Sequence, residues 1–422
     1  MTRYPLVRLD QVAEVRLGRQ RAPKNHHGDH MRPYLRAANV GWSGLQLEDV
    51  KEMNFTDAEL VTYRLQAGDL LLTEASGSPG EVGKPALWSG ELEDCAFQNT
   101  LLRVRPHEHD PRYLLHFFRH MALAGRFVPE ARGVGINHLG RARLAAWQTP
   151  VPALGEQRRI VEILEDHLSH LDAGGREFTH AQQRIAGMRL AVLHQLVKGA
   201  TRRLGDIKRD ADYGTSVKCS YDGRGVAVLR IPNLREGSID RADLKFAVDP
   251  SVDLTRSMVA EGDVLIVRTN GSRSLIGRSA VVDESNAAAF ASYLIRYRVD
   301  RHVMLPEWLH LSLESPSLRE TIERLAASSA GQHNLSLGKL DSLELPVPSL
   351  DTQASIVATF SEFAAETRRL RVALGAAEVR GEALRRAVLT AAFEGKLTGR
   401  HTDDEVVEER AAAHTFKEVM DS

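Results

Sequence analysis

The sequence predicts a duplicated mixed α/β (α+β) protein: two copies of one globular domain, joined by two long antiparallel coiled-coil helices, with a pseudo-two-fold relation between the copies. Three observations predict it. The chain repeats itself at an offset of 194 residues. Each copy opens with short β-rich runs punctuated by turn residues. Each closes with about 40 residues that hold no proline and are rich in helix formers.

The repeat is read directly. Tyr34-Leu-Arg-Ala-Ala-Asn39 aligns with Val228-Leu-Arg-Ile-Pro-Asn233. At the same offset Gly68-Asp69-Leu-Leu-Leu72 meets Gly262-Asp263-Val-Leu-Ile266, and Gly83-Lys84 meets Gly277-Arg278. Leu101-Leu-Arg103-Val-Arg105 meets Leu294-Ile-Arg296-Tyr-Arg298. Pro150-Val-Pro152 meets Pro346-Val-Pro348. A period this long marks duplicated domains, since solenoid repeats run roughly 20–50 residues.

Within a copy, Asp69–Thr73 and Leu101–Arg105 read as strands bounded by Gly or Pro. Pro111–Met121 reads as a helix with Pro at its first position, and Pro306-Glu-Trp-Leu-His-Leu-Ser-Leu repeats it. The long helices are expected over Gly155–Val197 and Asp351–Phe393. A heptad seam runs through both. Its packing residues are Ile160, Leu164, Leu171, Phe178, Ile185 and Val192 in the first, and Ile356, Phe360, Phe363, Leu370, Leu374, Leu384 and Val388 in the second. A helix on the order of 60 Å long with one apolar stripe needs a partner, and the other copy is the obvious one. Gly174-Gly175 is a weak point where a kink is expected. The expected domains are 1–149 and 200–345 (globular), 150–199 and 346–397 (helices), and a charged tail, 398–422.

Composition narrows the function classes. Lys+Arg 55 against Asp+Glu 56 leaves a formal net charge of −1, so the chain is no polycation. Nucleic-acid binding would need local basic faces or a basic partner. Two distant cysteines, Cys95 and Cys219, give neither a disulfide framework nor zinc-ligand spacing. Met1–Asp10 is too charged for a secretory signal, and no apolar run approaches a membrane span, so a cytoplasmic protein with no membrane partner is expected.

Gly77-Ser-Pro-Gly-Glu-Val-Gly83-Lys84-Pro85 superficially suggests a phosphate loop. The glycine spacing is one residue too long, and Pro stands where the magnesium-binding Ser or Thr would be, so nucleoside triphosphate binding is not expected. What the copies share is a Gly-Ser turn followed by a Gly and a cation. It serves either a tight turn or a phosphate contact through Lys84, Arg273 and Arg278. The histidines of Lys24-Asn-His26-His27-Gly-Asp-His30 lack metal-site spacing. With Arg19, Arg21, Lys24 and Arg32 they form a basic edge, matched in the second copy by Lys208, Arg209, Lys218 and Arg224. Such an edge is either a solvated face or a nucleic-acid surface. Arg36 and Asn39 recur as Arg230 and Asn233, so they suit fold capping or phosphate contact rather than base reading. Base reading belongs where the copies differ. Arg132 to His138 and Ser328 to Asn334 are such loops, offering Arg132, Asn137, Gln332 and Asn334.

The order of variable domain, Pro-Val-Pro, Gln157-Arg-Arg-Ile-Val161, long helix and Phe393-Glu-Gly-Lys-Leu397, used twice, resembles the DNA-specificity subunits of type I restriction-modification systems. The resemblance reaches residue 399. The first helix departs from it by lacking the closing Gly-Lys-Leu. The resemblance implies a non-catalytic subunit that reads a split asymmetric site on double-stranded DNA. It implies two partner methyltransferase subunits that carry S-adenosylmethionine and modify adenine N6, translocating restriction subunits that join them, and no cofactor on this chain. The alternative is a coiled-coil scaffold whose heads bind proteins.

Overall fold

The computed structural model describes residues 2–128, 137–283, 288–326 and 333–398. Arg132, Gln332 and the tail from residue 399 lie outside them, as does the side chain of Lys24. The chain forms two compact units. Unit 1 holds Met1–Glu177 and Ala376–Ser422, and unit 2 holds Phe178–Gly375.

Unit 1 is built on a four-stranded antiparallel sheet. Its strands are β1 (Ala13–Leu17), β2 (Leu70–Thr73), β3 (Pro85–Leu87) and β4 (Leu101–Pro106), in the order β1-β4-β2-β3. The central strands are largely apolar; Leu70, Leu71, Leu72, Leu101, Leu102 and Val104 are fully buried, with Arg103 of β4 among them. This is why β2 reads as a continuous apolar run rather than an alternation. Helix α1 (Pro111–Leu123) covers one face, capped by the Asp110 carboxylate on the Arg112 N–H. A smaller three-stranded sheet of Ala96–Phe97, Met31–Leu35 and Lys51–Asn54 lies beside it.

The first long helix, α2, runs Leu154–Leu196 and continues through Gly174 and Gly175. In unit 1 its Ile160, Val161 and Leu164 share a core with Tyr113, Phe117, Leu389, Ala392 and Phe393. Farther along α2, Asp172 pairs with Arg385. The numbering rises on one helix as it falls on the other, so the two segments are antiparallel. The last helix closes against the start of the chain: Arg3 donates to Glu156 and Thr398, and its N–H reaches the Glu394 carbonyl.

Unit 2 repeats the design. Its main sheet has strands β5 (Lys208–Tyr213), β6 (Val264–Val267), β7 (Ser279–Val281) and β8 (Leu294–Val299), in the equivalent order β5-β8-β6-β7. Helix α3 (Pro306–Glu314) takes the place of α1, followed by α4 (Pro316–Leu325). The last long helix, α5, runs Leu350–Glu394. In unit 2 its Phe360 packs on Leu193 of α2 and Leu311 of α3.

The buried stripe on both long helices departs from the strict heptad. Leu168 is buried where the heptad places His167, and Met188 is 56% exposed while Arg189 turns inward. On α5, Leu370 and Leu384 are 47% and 53% exposed, and Arg371 and Arg385 are more covered. The cause is geometric. A straight helix turns every 3.6 residues, and a 3.5-residue pattern drifts about 20° per heptad. Each arginine lays its stem along apolar surface and pairs its head, Arg371 with Glu236 and Arg385 with Asp172.

Candidate nucleic-acid interface

The polar residues that recur in both copies hold the frame. Asn39 is 2% exposed; its Oδ1 accepts from the Arg36 N–H and its Nδ2 donates to the carbonyls of Gln46 and Asp49. Asn233 makes the same three bonds, with Arg230, Asp240 and Asp243. Asp69 accepts two bonds from the Arg105 guanidinium, at 2.6 and 2.7 Å, and one from the Gln66 N–H. Asp263 does so from Arg298 and the Ala260 N–H. Gln157 and Gln353 are fully buried. Each accepts from the N–H before the α1 or α3 proline (Asp110, Leu305) and donates to the last carbonyl of Pro-Val-Pro. That amide fixes where each long helix leaves its domain. Tyr113 and Trp308 complete the joint by donating to the carbonyls of Pro150 and Pro346.

The shared Gly-cation turn also belongs largely to the frame. Gly83 and Gly277 both have φ +76, and an added Cβ would strike Phe127 or Ile322 at 2.1 or 2.7 Å. Lys84 is 9% exposed, with its ammonium on Glu81, whose carboxyl that contact holds below the usual range. Glu81 also accepts from the Trp42 indole. Lys84 is thus committed inside the fold, whereas Arg278 is exposed.

The copies diverge at one edge. In unit 1 a two-residue ribbon pairs Ala75–Ser76 with Asn137–His138, and in unit 2 the same ribbon pairs Thr269–Asn270 with His333–Asn334. Glu74 precedes the first and Arg268 the second. The backbone proves them equivalent: their N–H groups donate to Thr100 and Tyr293, and their carbonyls accept from Leu139 and Leu335. Glu74 lies 3.0 Å from His138 Nδ1. Arg268 instead donates to Asn334 Oδ1 at 3.3 Å and stacks over Tyr213 at 4.3 Å. The position of Tyr213 is held by Leu17 in unit 1, each opposite the second residue of its strand, Ile295 or Leu102. One frame therefore presents Leu-Glu-His at one edge and Tyr-Arg-Asn at the other.

The remaining expected DNA-facing residues scatter. Arg19 is largely covered, paired with Glu59 at 2.6 Å and lying over Phe55. Arg32 faces Asp94 at 3.8 Å, Lys208 bonds Asp341, and Arg273 faces Glu323 at 3.7 Å. Arg21 is exposed and donates to His26. Arg209 and Lys218 are exposed. Asn137 and Asn334 lie on the divergent ribbons. The sequence reading placed His138 at the end of a base-reading loop but did not name Glu74, Arg268 or Tyr213 as DNA-facing. The signal was present, since Glu74 and Arg268 align at the repeat offset with opposite charge.

The chain thus carries one sheet domain twice on long helices, alike in its frame and unlike at one ribbon. Residues 3–176 match the type I restriction modification DNA specificity domain. The chain is 26% identical over 395 residues to the Type I restriction enzyme EcoKI specificity subunit of Escherichia coli (strain K12), covering 89% of this chain and 84% of that one. It is 25% identical, with the same coverage, to the StySPI specificity subunit of Salmonella potsdam. Among solved structures, the HsdS subunit from Thermoanaerobacter tengcongensis superposes with a TM-score of 0.51 at 20% identity, over 93% of this chain and 97% of that one. A chain from work on complex assembly and conformational transition of the type I R-M system superposes at 0.72, also at 20% identity, over 93% and 98%. Over most of its length the chain is thus similar to type I restriction-modification specificity subunits. Among the described residues no helix is long and apolar enough to cross a membrane.

Proposed function

We propose that this chain reads a bipartite, asymmetric site on double-stranded DNA, one recognition domain to each half. It directs two partner methyltransferase subunits to modify adenine N6 there, and restriction subunits join the same assembly. The long helices act as the ruler for the unread spacer, because half-site spacing mirrors the spacing of the reading units. The chain itself is non-catalytic and binds no cofactor; S-adenosylmethionine belongs to the partners.

One observation carries the reading. The buried Asn, Asp–Arg and Gln hydrogen bonds recur in both copies, while Glu74-His138 becomes Arg268-Asn334 at the same edge. A two-stranded ribbon fits the major groove, where Arg pairs with guanine and Asn with adenine. Two like frames with unlike reading edges suit two unlike half-sites. The near-neutral net charge supports dependence on partners, since few cations release few counterions. Weak DNA binding by the isolated chain and strong, salt-sensitive binding in complex are expected. The test is single-molecule mapping of adenine methylation in cells with the gene intact or disrupted. A split motif that vanishes on disruption supports the reading; unchanged methylation where the partner is expressed refutes it.

A further inference from the structure

A small basic cavity recurs at the same place in both recognition domains. In unit 1 it encloses about 250 Å³ between Arg21, His26, Tyr34, Arg36, Lys51 and Glu52. In unit 2 it encloses about 260 Å³, with Arg230 and Lys245 opposite Thr215, Ser292 and Tyr293. Arg36 matches Arg230 and Lys51 matches Lys245 at the repeat offset of 194.

We propose that these paired cavities each hold one backbone phosphate of the DNA, with Arg36 and Lys51 the cations of one and Arg230 and Lys245 those of the other. The inference rests on the specificity reading above and adds to it the residues that position the duplex.

Four features support it. First, each cation is held in place by the frame. Arg36 extends from the Asn39 turn and donates to Asp49 at 2.6 Å, while Lys51 meets the same carboxylate at 2.5 Å. Arg230 repeats this with Asp243 at 3.0 Å, and Lys245 lies over the Tyr221 ring at 4.7 Å. Second, each cavity keeps a surplus cation. Arg21, Arg36 and Lys51 face Asp49 and Glu52 in unit 1; Arg230 and Lys245 face Asp243 in unit 2. Third, Nε of both Arg36 and Arg230 is buried without a hydrogen-bond partner, a donor left unsatisfied at the same atom in both copies. Fourth, the unit 2 cavity neighbours its ribbon through Arg268, the residue before it. Ser292 and Tyr293 accept from Arg268.

The ligand class follows from sameness and size. Sites kept alike in two domains that read different bases suit a group that carries no sequence. The volumes lie below the roughly 300–1,000 Å³ of pockets that take cofactor-sized ligands, so a nucleotide cofactor is a poor fit.

The test uses the full chain in complex with its methyltransferase. Affinity is measured against salt for a short duplex carrying the methylated motif and for a scrambled duplex, with Lys51→Gln, Lys245→Gln and the double variant. Each single variant is expected to weaken both duplexes alike and to lower the salt slope by about 1, and the double by about 2. Lys51→Arg should restore the slope, and Asp49→Asn should tighten both duplexes. An unchanged slope, or a loss confined to the motif duplex, overturns the inference and leaves the specificity reading intact. Competition by inorganic phosphate with an unchanged slope would assign the cavities to a free anion and also overturn it. A wild-type complex with no duplex affinity overturns both readings.

Discussion

Asp69 and Asp263 occupy one position in two copies of a domain, and both are buried carboxylates gripped by an arginine. Five residues on, Glu74 and Arg268 also occupy one position, and their charges are opposite. The first position faces the interior, where an unpaired group is costly, so its identity is constrained by packing and hydrogen bonding. The second opens onto a two-stranded ribbon at the edge, where the domain tolerates either sign. Frame and edge of one fold thus answer to different demands, and the duplication exposes this within a single chain.

The comparison can be broken at the frame first. Asp263→Ala leaves the Arg298 guanidinium without its bidentate partner and should destabilise unit 2 by about 3 kcal/mol in denaturant unfolding. Arg298 keeps a weaker contact with Asp210, so a loss below about 1 kcal/mol would mean that the buried pair contributes little. Asn233→Ala strands the Asp240 carbonyl and the Arg230 N–H, leaves the Asp243 carbonyl with Arg230 alone, and should cost about 2 kcal/mol; Asn39→Ala should cost a similar amount in unit 1. A large difference between those two would contradict a shared frame.

At the edge the expectation reverses. Arg268→Ala should move stability by no more than about 0.5 kcal/mol. In the complex it should lose about 1–3 kcal/mol of discrimination at the base it reads, measured by binding to duplexes altered one base pair at a time.

The smallest effect is a pH dependence confined to one copy. His310 of α3 is buried beside Ser279, with 2.9 Å between Nδ1 and Oγ, where α1 carries Leu115. Burial holds its imidazole below the usual 6.5. The unfolded chain therefore binds the proton more readily than the folded one. Its contribution is fully present above about pH 6.5 and is lost below it, at up to about 1.4 kcal/mol per pH unit. His310→Leu should flatten the thermal stability of unit 2 against pH across that range. An unchanged slope would place the proton elsewhere.

Much of the fold was legible because its signals are periodic. The long helices begin and end within one residue of the expected spans. The central strands read as apolar runs bounded by glycine and proline. The heptad failed in detail because an α-helix turns every 3.6 residues and a 3.5-residue pattern drifts off its buried stripe, where Arg371 and Arg385 are more covered than Leu370 and Leu384. The candidate site was less legible. A cation count treats Arg19, Lys84 and Lys208 alike, but each is paired inside its domain by a carboxylate far along the chain or across a turn. Which cations remain available is a property of tertiary contacts. The reading edge was visible in principle, as a charge reversal at a repeat-matched position, but only the ribbon pairing brings Glu74 to His138 and Arg268 to Asn334.

The central claim is that one frame, used twice, reads two different half-sites through its divergent edges. Its most direct test is single-molecule adenine-methylation sequencing of cells carrying wild-type chain, Glu74→Ala or Arg268→Ala, each with the partner methyltransferase. The account predicts a split motif in which Glu74→Ala relaxes one half only and Arg268→Ala relaxes the other half only. Relaxation of the same half by both variants, or an unaltered motif in both, would contradict it.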